Sequence, residues 1–227
     1  MKRAIIIMAK APVAGAVKTR LEPFLSPAEC AELAAAFLRD AFAKAKTVCE
    51  NTILAYSPAV QRAVLENILQ SETVYVEQTG ADLGERMSNA FEFAFASGSD
   101  AVVMIGTDSP TVPADFIRRA FEFLENESDV VLGETTDGGF YLIGLRKNYP
   151  KLFENVRWSS AQVFEQTMEN AKRLKLRAAQ IPTWYDVDVP PDLARLRKEI
   201  LTGDKIEAPA TFRWLSSHSE LFGSGNS

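Results

Sequence analysis

The sequence has a single histidine, His218, close to its C-terminus, and two cysteines, Cys30 and Cys49, with neither CxxC nor metal-ligand spacing. So little histidine disfavours Ser-His-Asp hydrolysis, Cys-His chemistry and histidine-ligated zinc. The cysteines outline no disulfide framework and are expected to be reduced, buried thiols. No apolar run approaches the ~20 residues that span a bilayer. The N-terminal "AIIIM" also falls short of the ~7–15 residues of a signal-peptide core. A cytoplasmic protein without a membrane partner is expected. Positive charge is in deficit, with 25 Lys and Arg against 30 Asp and Glu and a net charge of -5. This argues against general nucleic-acid binding, which neutralises phosphates with clustered cations. The GxGxxG and GxxxxGK[ST] loops of dinucleotide-dependent oxidoreductases and P-loop enzymes are missing as well.

What is present is the composition of an ordinary globular chain, 47% hydrophobic and 24% charged over 227 residues. That length suits one well-cored α/β domain. Short β-branched runs at 4–9, 51–57, 73–77, 101–106 and 129–135 read as strands, most of them apolar on consecutive positions as in a parallel sheet covered on both faces. Between them, Leu33, Phe37, Ala41 and Ala45, then Leu83, Met87, Ala90, Phe91 and Ala94, then Phe116, Ala120, Phe121 and Leu124 recur at helical spacing. Ser26 and Pro27 mark the start of the first of these helices. One connection breaks the alternation: "TTDGGF" joins 129–135 to 140–145 through a tight turn, placing an antiparallel element in the sheet. A helix at 160–173, a strand near 176–180 and a Pro-started helix after "WYDVDV" follow. The expected fold is a three-layer α/β/α, Rossmann-like, mostly parallel sheet. Residues 1–201 are expected to form one domain and 202–227 an extension ending in a disordered "GSGNS".

Ligands of such sheets sit beyond the carboxyl ends of the strands. In the first loop there, "AKAPVAGAVKTRLEP", Gly15 allows close backbone approach, Lys18 supplies a mobile point charge, and Arg20 can grip two phosphate oxygens at once. A solvated loop with surface cations would carry the same residues. In "MIGTDSPTVP", Asp108 at the end of an apolar strand is sited to hold a hard divalent cation, although Asp108, Ser109 and Thr111 could instead cap the next helix. In "WYDVDVPPDL", Asp186 and Asp188 alternate with valines and project to one side of an extended segment. Two neighbouring carboxylates repel unless a cation intervenes, which favours Asp188 as ligand and Asp186 as support; capping of the following helix is the alternative. Asp137 at the hairpin rim is expected to keep a free carboxylate. "QTGADLGERM" and "RWSSAQV" read chemically as a capped helix start and as core packing plus a cap.

Taken in order, "AKAPVAGAVKTRL", "QTGADLGERM", "IGTDSPTVP", "DGGFYLIGL", "WSS" and "DVDVPPDL" resemble the GT-A type nucleotide-diphospho-sugar transferase superfamily. More narrowly, they resemble its bacterial selenodomain-associated glycosyltransferase-A-like branch, related to molybdenum-cofactor and 2-phospholactate guanylyltransferases. The resemblance covers residues 9–193. It implies that the loop from Ala11 and Pro12 through Gly15 to Lys18 and Arg20 wraps nucleotide phosphates, and that Gln78, Gly80 and Asp82 lie by base or ribose. It implies Asp108 and Asp188 as ligands of Mg²⁺ or Mn²⁺, with Asp137, Gly138, Gly139, Trp158 and Ser159 around the acceptor. The chain departs from the pattern in its single loop glycine and in Phe140 and Val189, where Tyr and Thr are commoner.

The implied activity is nucleotidyl transfer from a nucleoside triphosphate to a small phosphorylated acceptor. Glycosyl transfer from a nucleotide-sugar, with Asp137 as base, is the near alternative. A non-catalytic nucleotide-binding module is the alternative of another class. Base, acceptor and oligomeric state are left open.

Overall fold

The computed structural model describes residues 1–203 and 207–222; the expected disorder of "GSGNS" lies outside them. Seven strands form one sheet: β1 (Arg3–Lys10), β2 (Thr52–Ser57), β3 (Val74–Glu77), β4 (Ala101–Ile105), β5 (Val130–Thr135), β6 (Phe140–Leu145) and β7 (Ala178–Trp184). Their order is β3-β2-β1-β4-β6-β5-β7. All pairings are parallel except those of β6, which runs antiparallel to both β4 and β5. The "TTDGGF" turn therefore reverses the chain inside the sheet, and the fold is the expected mostly parallel α/β/α layer.

Alternation along β1 separates two cores. Ile5, Ile7 and Ala9 pack with Leu38 and Phe42 of α1 (Pro27–Val48) and Phe121 and Leu124 of α4 (Ala114–Asn126). Ala4 and Ile6 face Met87 and Phe91 of α3 (Leu83–Ala96) and Ala171 of α5 (Val163–Arg173). Burial on both faces is why this strand reads as an unbroken apolar run. The Ser26 hydroxyl and Glu29 close a capping box at the start of α1, and Pro27 occupies its first turn. Cys30 and Cys49 are buried free thiols. No helix among the described residues is long and apolar enough to cross a membrane.

Differences from the sequence expectation have local causes. Helix α2 (Arg62–Leu69) buries only Leu65, so its apolar period is too thin to read. Helix α5 starts at Val163, three residues later than expected. Strand β7 extends to Trp184 and carries Pro182, which an edge strand tolerates because one side needs no N–H donor. Beyond α6 (Pro190–Thr202), helix α7 (Pro209–Ser217) joins α1 in a third apolar cluster containing Leu33, Phe37, Leu196 and Trp214.

The carboxylate of Asp40, on α1, accepts from the Ala210 and Thr211 N–H groups at 2.7 and 2.8 Å and from the Thr211 hydroxyl at 2.6 Å, capping α7 from outside its own chain segment. Burial pushes this carboxyl above the ordinary aspartate range despite those bonds. Asp40→Ala should cost about 2 kcal/mol or more in urea unfolding, because it strands three donors at a buried helix start. An unchanged midpoint would contradict this cap.

Candidate active site

Parallel and antiparallel pairings together set the loops after β1, β4, β5 and β7 at one edge of the sheet. The first of these turns at Gly15 (φ +73°) and again at Lys18, whose φ of +51° is left-handed without being glycine. Such a backbone costs of order 1 kcal/mol or more unless its surroundings hold it. Here they do: Leu21, fully buried, returns its N–H to the Lys18 carbonyl at 2.8 Å.

The Lys18 side chain is 7% exposed, and its Nζ lies 2.5 Å from Asp108 Oδ1 and 2.9 Å from Asp188 Oδ1. It also donates to the Val187 carbonyl at 2.8 Å. Three ammonium donors thus meet three acceptors. Burial acts against the ammonium, but the two carboxylates outweigh it and its pKa stands above the ordinary lysine value. The expected mobile point charge is therefore a fixed one.

Asp108 does not cap α4, whose N-cap is Pro113 without a side-chain hydrogen bond. Its loop is held from α1 by buried Lys44, which donates to the Pro110 carbonyl at 2.7 Å and to that of Val112. The Thr111 hydroxyl is instead engaged by Trp184 Nε1 and by the Tyr185 hydroxyl. Asp188 does not cap α6 either. That role falls to Asp192, whose Oδ2 accepts from the Asp188 and Val189 N–H groups at 3.1 and 3.0 Å. Val187 is fully buried and donates its N–H to the Asp108 carbonyl at 2.9 Å, pinning the late strand segment to the loop after β4. The Asp186 carboxyl is pushed up to about 6, first by burial and then by the charges of Asp137, Asp188 and Asp108. Four carboxylates from three loops therefore share one field.

A cavity of about 290 Å³ lies over this cluster, with Lys10, Lys18, Arg20, Thr107, Asp108 and Asp188 on its wall. Arg20 is 71% exposed and reaches Asp188 Oδ2 only at 3.9 Å. Among the described residues no group of three or more metal-type ligands is present. Two carboxylates, each with its Oδ2 outside the grip of Lys18, nevertheless fit a hard cation that takes one or two carboxylates and fills its shell with water and substrate phosphate. The acid excess of the cluster favours such an ion.

Other expected site residues make contacts within the fold. Ala11 and Pro12 are buried, and the Ala11 N–H is spent on the Ser57 carbonyl at 2.8 Å. Gln78 Nε2 donates to the Ala9 and Ala55 carbonyls, tying strand ends together. Asp82 caps α3 through the Glu85 N–H at 2.9 Å, and Gly80 (φ +136°) packs against Glu85. The Asp137 carboxylate is not free: Oδ1 accepts the Thr135 hydroxyl at 2.5 Å and the Gly139 N–H at 3.0 Å. Trp158 packs on Gly84 and Phe153, while Ser159 is exposed with φ +64°. His218 stacks on Trp214 at the end of α7 and has no place in the cavity wall.

Gly138 (φ +90°) packs against the turn before α5, where an added Cβ would collide with the Ala161 carbonyl group. Gly138→Ala should therefore cost at least about 2 kcal/mol in stability by chemical denaturation. A neutral result would contradict this close packing on Ala161. Lys10 and Thr107 also line the cavity; the sequence signal for Lys10 is its position directly after the apolar run of β1.

A family model described as "Uncharacterized protein conserved in bacteria (DUF2064)" matches residues 38–160. The chain belongs to this family. The match takes in Asp108 and Asp137, whereas Lys18, Arg20 and Asp188 flank it in sequence and reach the cluster through the fold. This DUF2064 chain is similar over 97% of its length to 97% of a crystal structure from Desulfovibrio desulfuricans G20, at 32% identity and a TM-score of 0.90. That protein is described as a candidate nucleotide-diphospho-sugar transferase. At the level of fold, CMP:2-keto-3-deoxy-manno-octonic acid synthetase complexed with CTP aligns at 12% identity and a TM-score of 0.57, covering 88% of this chain and 99% of that one. Rv0371c of Mycobacterium tuberculosis H37Rv in complex with manganese aligns at 14% and 0.51, covering 86% and 98%. No curated protein matches the sequence. The fold is that of the nucleotide-diphospho-sugar transferase and nucleotidyltransferase superfamily.

Proposed function

We propose that this DUF2064 protein is a cytoplasmic, divalent-cation-dependent transferase that moves a nucleotidyl group from a nucleoside triphosphate to a small phosphorylated acceptor. The observation that carries the reading is the convergence of Lys18, Asp108 and Asp188 on one cavity at the carboxyl edge of the sheet. In this reading residues 1–201 form the transferase domain and 202–227 an extension. Asp108 and Asp188 hold Mg²⁺ or Mn²⁺, which supplies neutralisation of the donor phosphates. Lys18 keeps the two carboxylates at a fixed spacing, and Arg20 at the cavity mouth faces the donor. An acceptor phosphate oxygen is already anionic, so its attack on the α-phosphorus expels pyrophosphate without a general base. The scarcity of histidine around the cluster suits that chemistry.

Glycosyl transfer is the second reading, favoured by the description of the 32% identical neighbour. It asks Asp137 to act as base on an acceptor hydroxyl, and one oxygen of Asp137 is already committed within its own turn. Incubation with the four nucleoside triphosphates or with nucleotide-sugars, each with Mg²⁺ or Mn²⁺ and an acceptor panel, separates the two. Pyrophosphate release supports nucleotidyl transfer. Nucleoside diphosphate release overturns it in favour of glycosyl transfer, and nucleotide binding without either product points to a binding module.

A further inference from the structure

Lys18 is the loop cation that the sequence points to for phosphate, yet its surroundings leave it no donor to spare. Its three N–H bonds are taken by Asp108, Asp188 and the Val187 carbonyl, and 7% of its side chain is exposed. A phosphate could reach it only by stripping one of those acceptors away. Two other cations share the cavity under different terms. Lys10 is exposed, and its side chain forms no hydrogen bond or ion pair among the described residues. Arg20, 71% exposed, has among the described residues only its 3.9 Å approach to Asp188, leaving most of the five guanidinium donors for a ligand. Lys10 enters the wall from the last residue of β1 and Arg20 from the turn after Lys18, so the two come from separate segments.

We infer that Lys10 and Arg20 form the polyphosphate grip of this site, and that Lys18 is a positioning residue that holds Asp108 and Asp188 together. The inference rests on the transferase reading for its ligand class, a linear polyphosphate such as the triphosphate of the donor or the pyrophosphate product. The cavity, about 290 Å³, is at the small end of the ~300–1,000 Å³ of whole-ligand pockets. It suits a phosphate chain with the nucleoside lying outside it. Arg20 supplies paired donors to neighbouring oxygens, and Lys10 a point charge on the opposite segment.

The test is calorimetric titration of the full chain with inorganic tripolyphosphate in Mg²⁺, a probe that has no base or sugar and undergoes no transfer. Lys10→Ala and Arg20→Ala should each weaken binding about tenfold or more, the loss expected of one charge-assisted contact, without moving the thermal midpoint. Lys10→Arg should retain most of the affinity. Lys18→Met should lower the midpoint and also lower the Mg²⁺ concentration needed for half-maximal binding, because the ion then takes the place of the ammonium between the carboxylates, a shift that a purely structural role would not produce. Lys18→Arg should restore part of it. Tight binding by Lys10→Ala together with loss in Lys18→Met at saturating Mg²⁺ would overturn the assignment, as would absence of binding by the unaltered protein. Binding that depends on Lys10 and Arg20, with no transfer product from any nucleotide, would uphold the grip and refute the proposed reaction.

Discussion

Asp108→Asn should lower turnover by about 10²–10⁴-fold, the several kcal/mol that a cation at a transferring phosphate contributes to the transition state. Its stability should fall by no more than about 1 kcal/mol. An asparagine oxygen can still accept from Lys18, which keeps Asp188 and the Val187 carbonyl as partners. The Asp108 side chain is also 49% exposed, so it pays little desolvation in either form. The same split is expected of Asp188→Asn, whose backbone N–H remains fixed by Asp192. Steady-state kinetics with pyrophosphate detection, run beside thermal unfolding, checks both halves. If activity and stability fall together, Asp108 is a strut of the fold and not part of the chemistry.

Lys18→Met should act in the opposite sense, on stability first. It leaves Asp108 and Asp188 facing each other without the ammonium between them, with Asp186 and Asp137 adding to the same negative field. Breaking a fully buried pair costs ~3–5 kcal/mol; with carboxylates 49% and 38% exposed, solvent screening reduces the expectation to about 1–3 kcal/mol. For a chain of this length that is a drop of several degrees, at ~2–4 °C per kcal/mol. A divalent cation can replace the missing charge. Millimolar Mg²⁺ should therefore raise the midpoint of the variant by more than it raises that of the unaltered protein. Equal Mg²⁺ responses would mean that the two carboxylates do not share a cation.

Much of the fold was legible because its signals are local. The apolar runs of β1 and β4, the helical spacing after Ser26 and the "TTDGGF" reversal all stand close to where the structure puts them. Helix α2 was invisible with one buried residue, and α7 is held by Asp40 from 170 positions away, a contact no window of sequence contains. The candidate site divides the same way. That Asp108 and Asp188 stand at one sheet edge follows from strand order and direction, and the valine alternation around Asp186 already placed both late carboxylates on one side. What the sequence could not reveal were choices between equivalent partners. Asp192 takes the helix cap that Asp188 was equally placed to take, Lys18 turns inward through a left-handed backbone while Arg20 stays out, and Gly138 packs on Ala161 instead of lining a pocket. Each was settled by a segment far away in the chain.

In the proposed reading, acids from two distant loops and cations from the start of the chain form one nucleotide-phosphate site. It is tested most directly by a thermal-shift titration of the unaltered protein with nucleoside triphosphates, with and without Mg²⁺ or Mn²⁺, repeated on Asp108→Asn. The midpoint should rise only when nucleotide and cation are present together, and the rise should collapse in the variant. A nucleotide response that is indifferent to the cation and survives Asp108→Asn would contradict it.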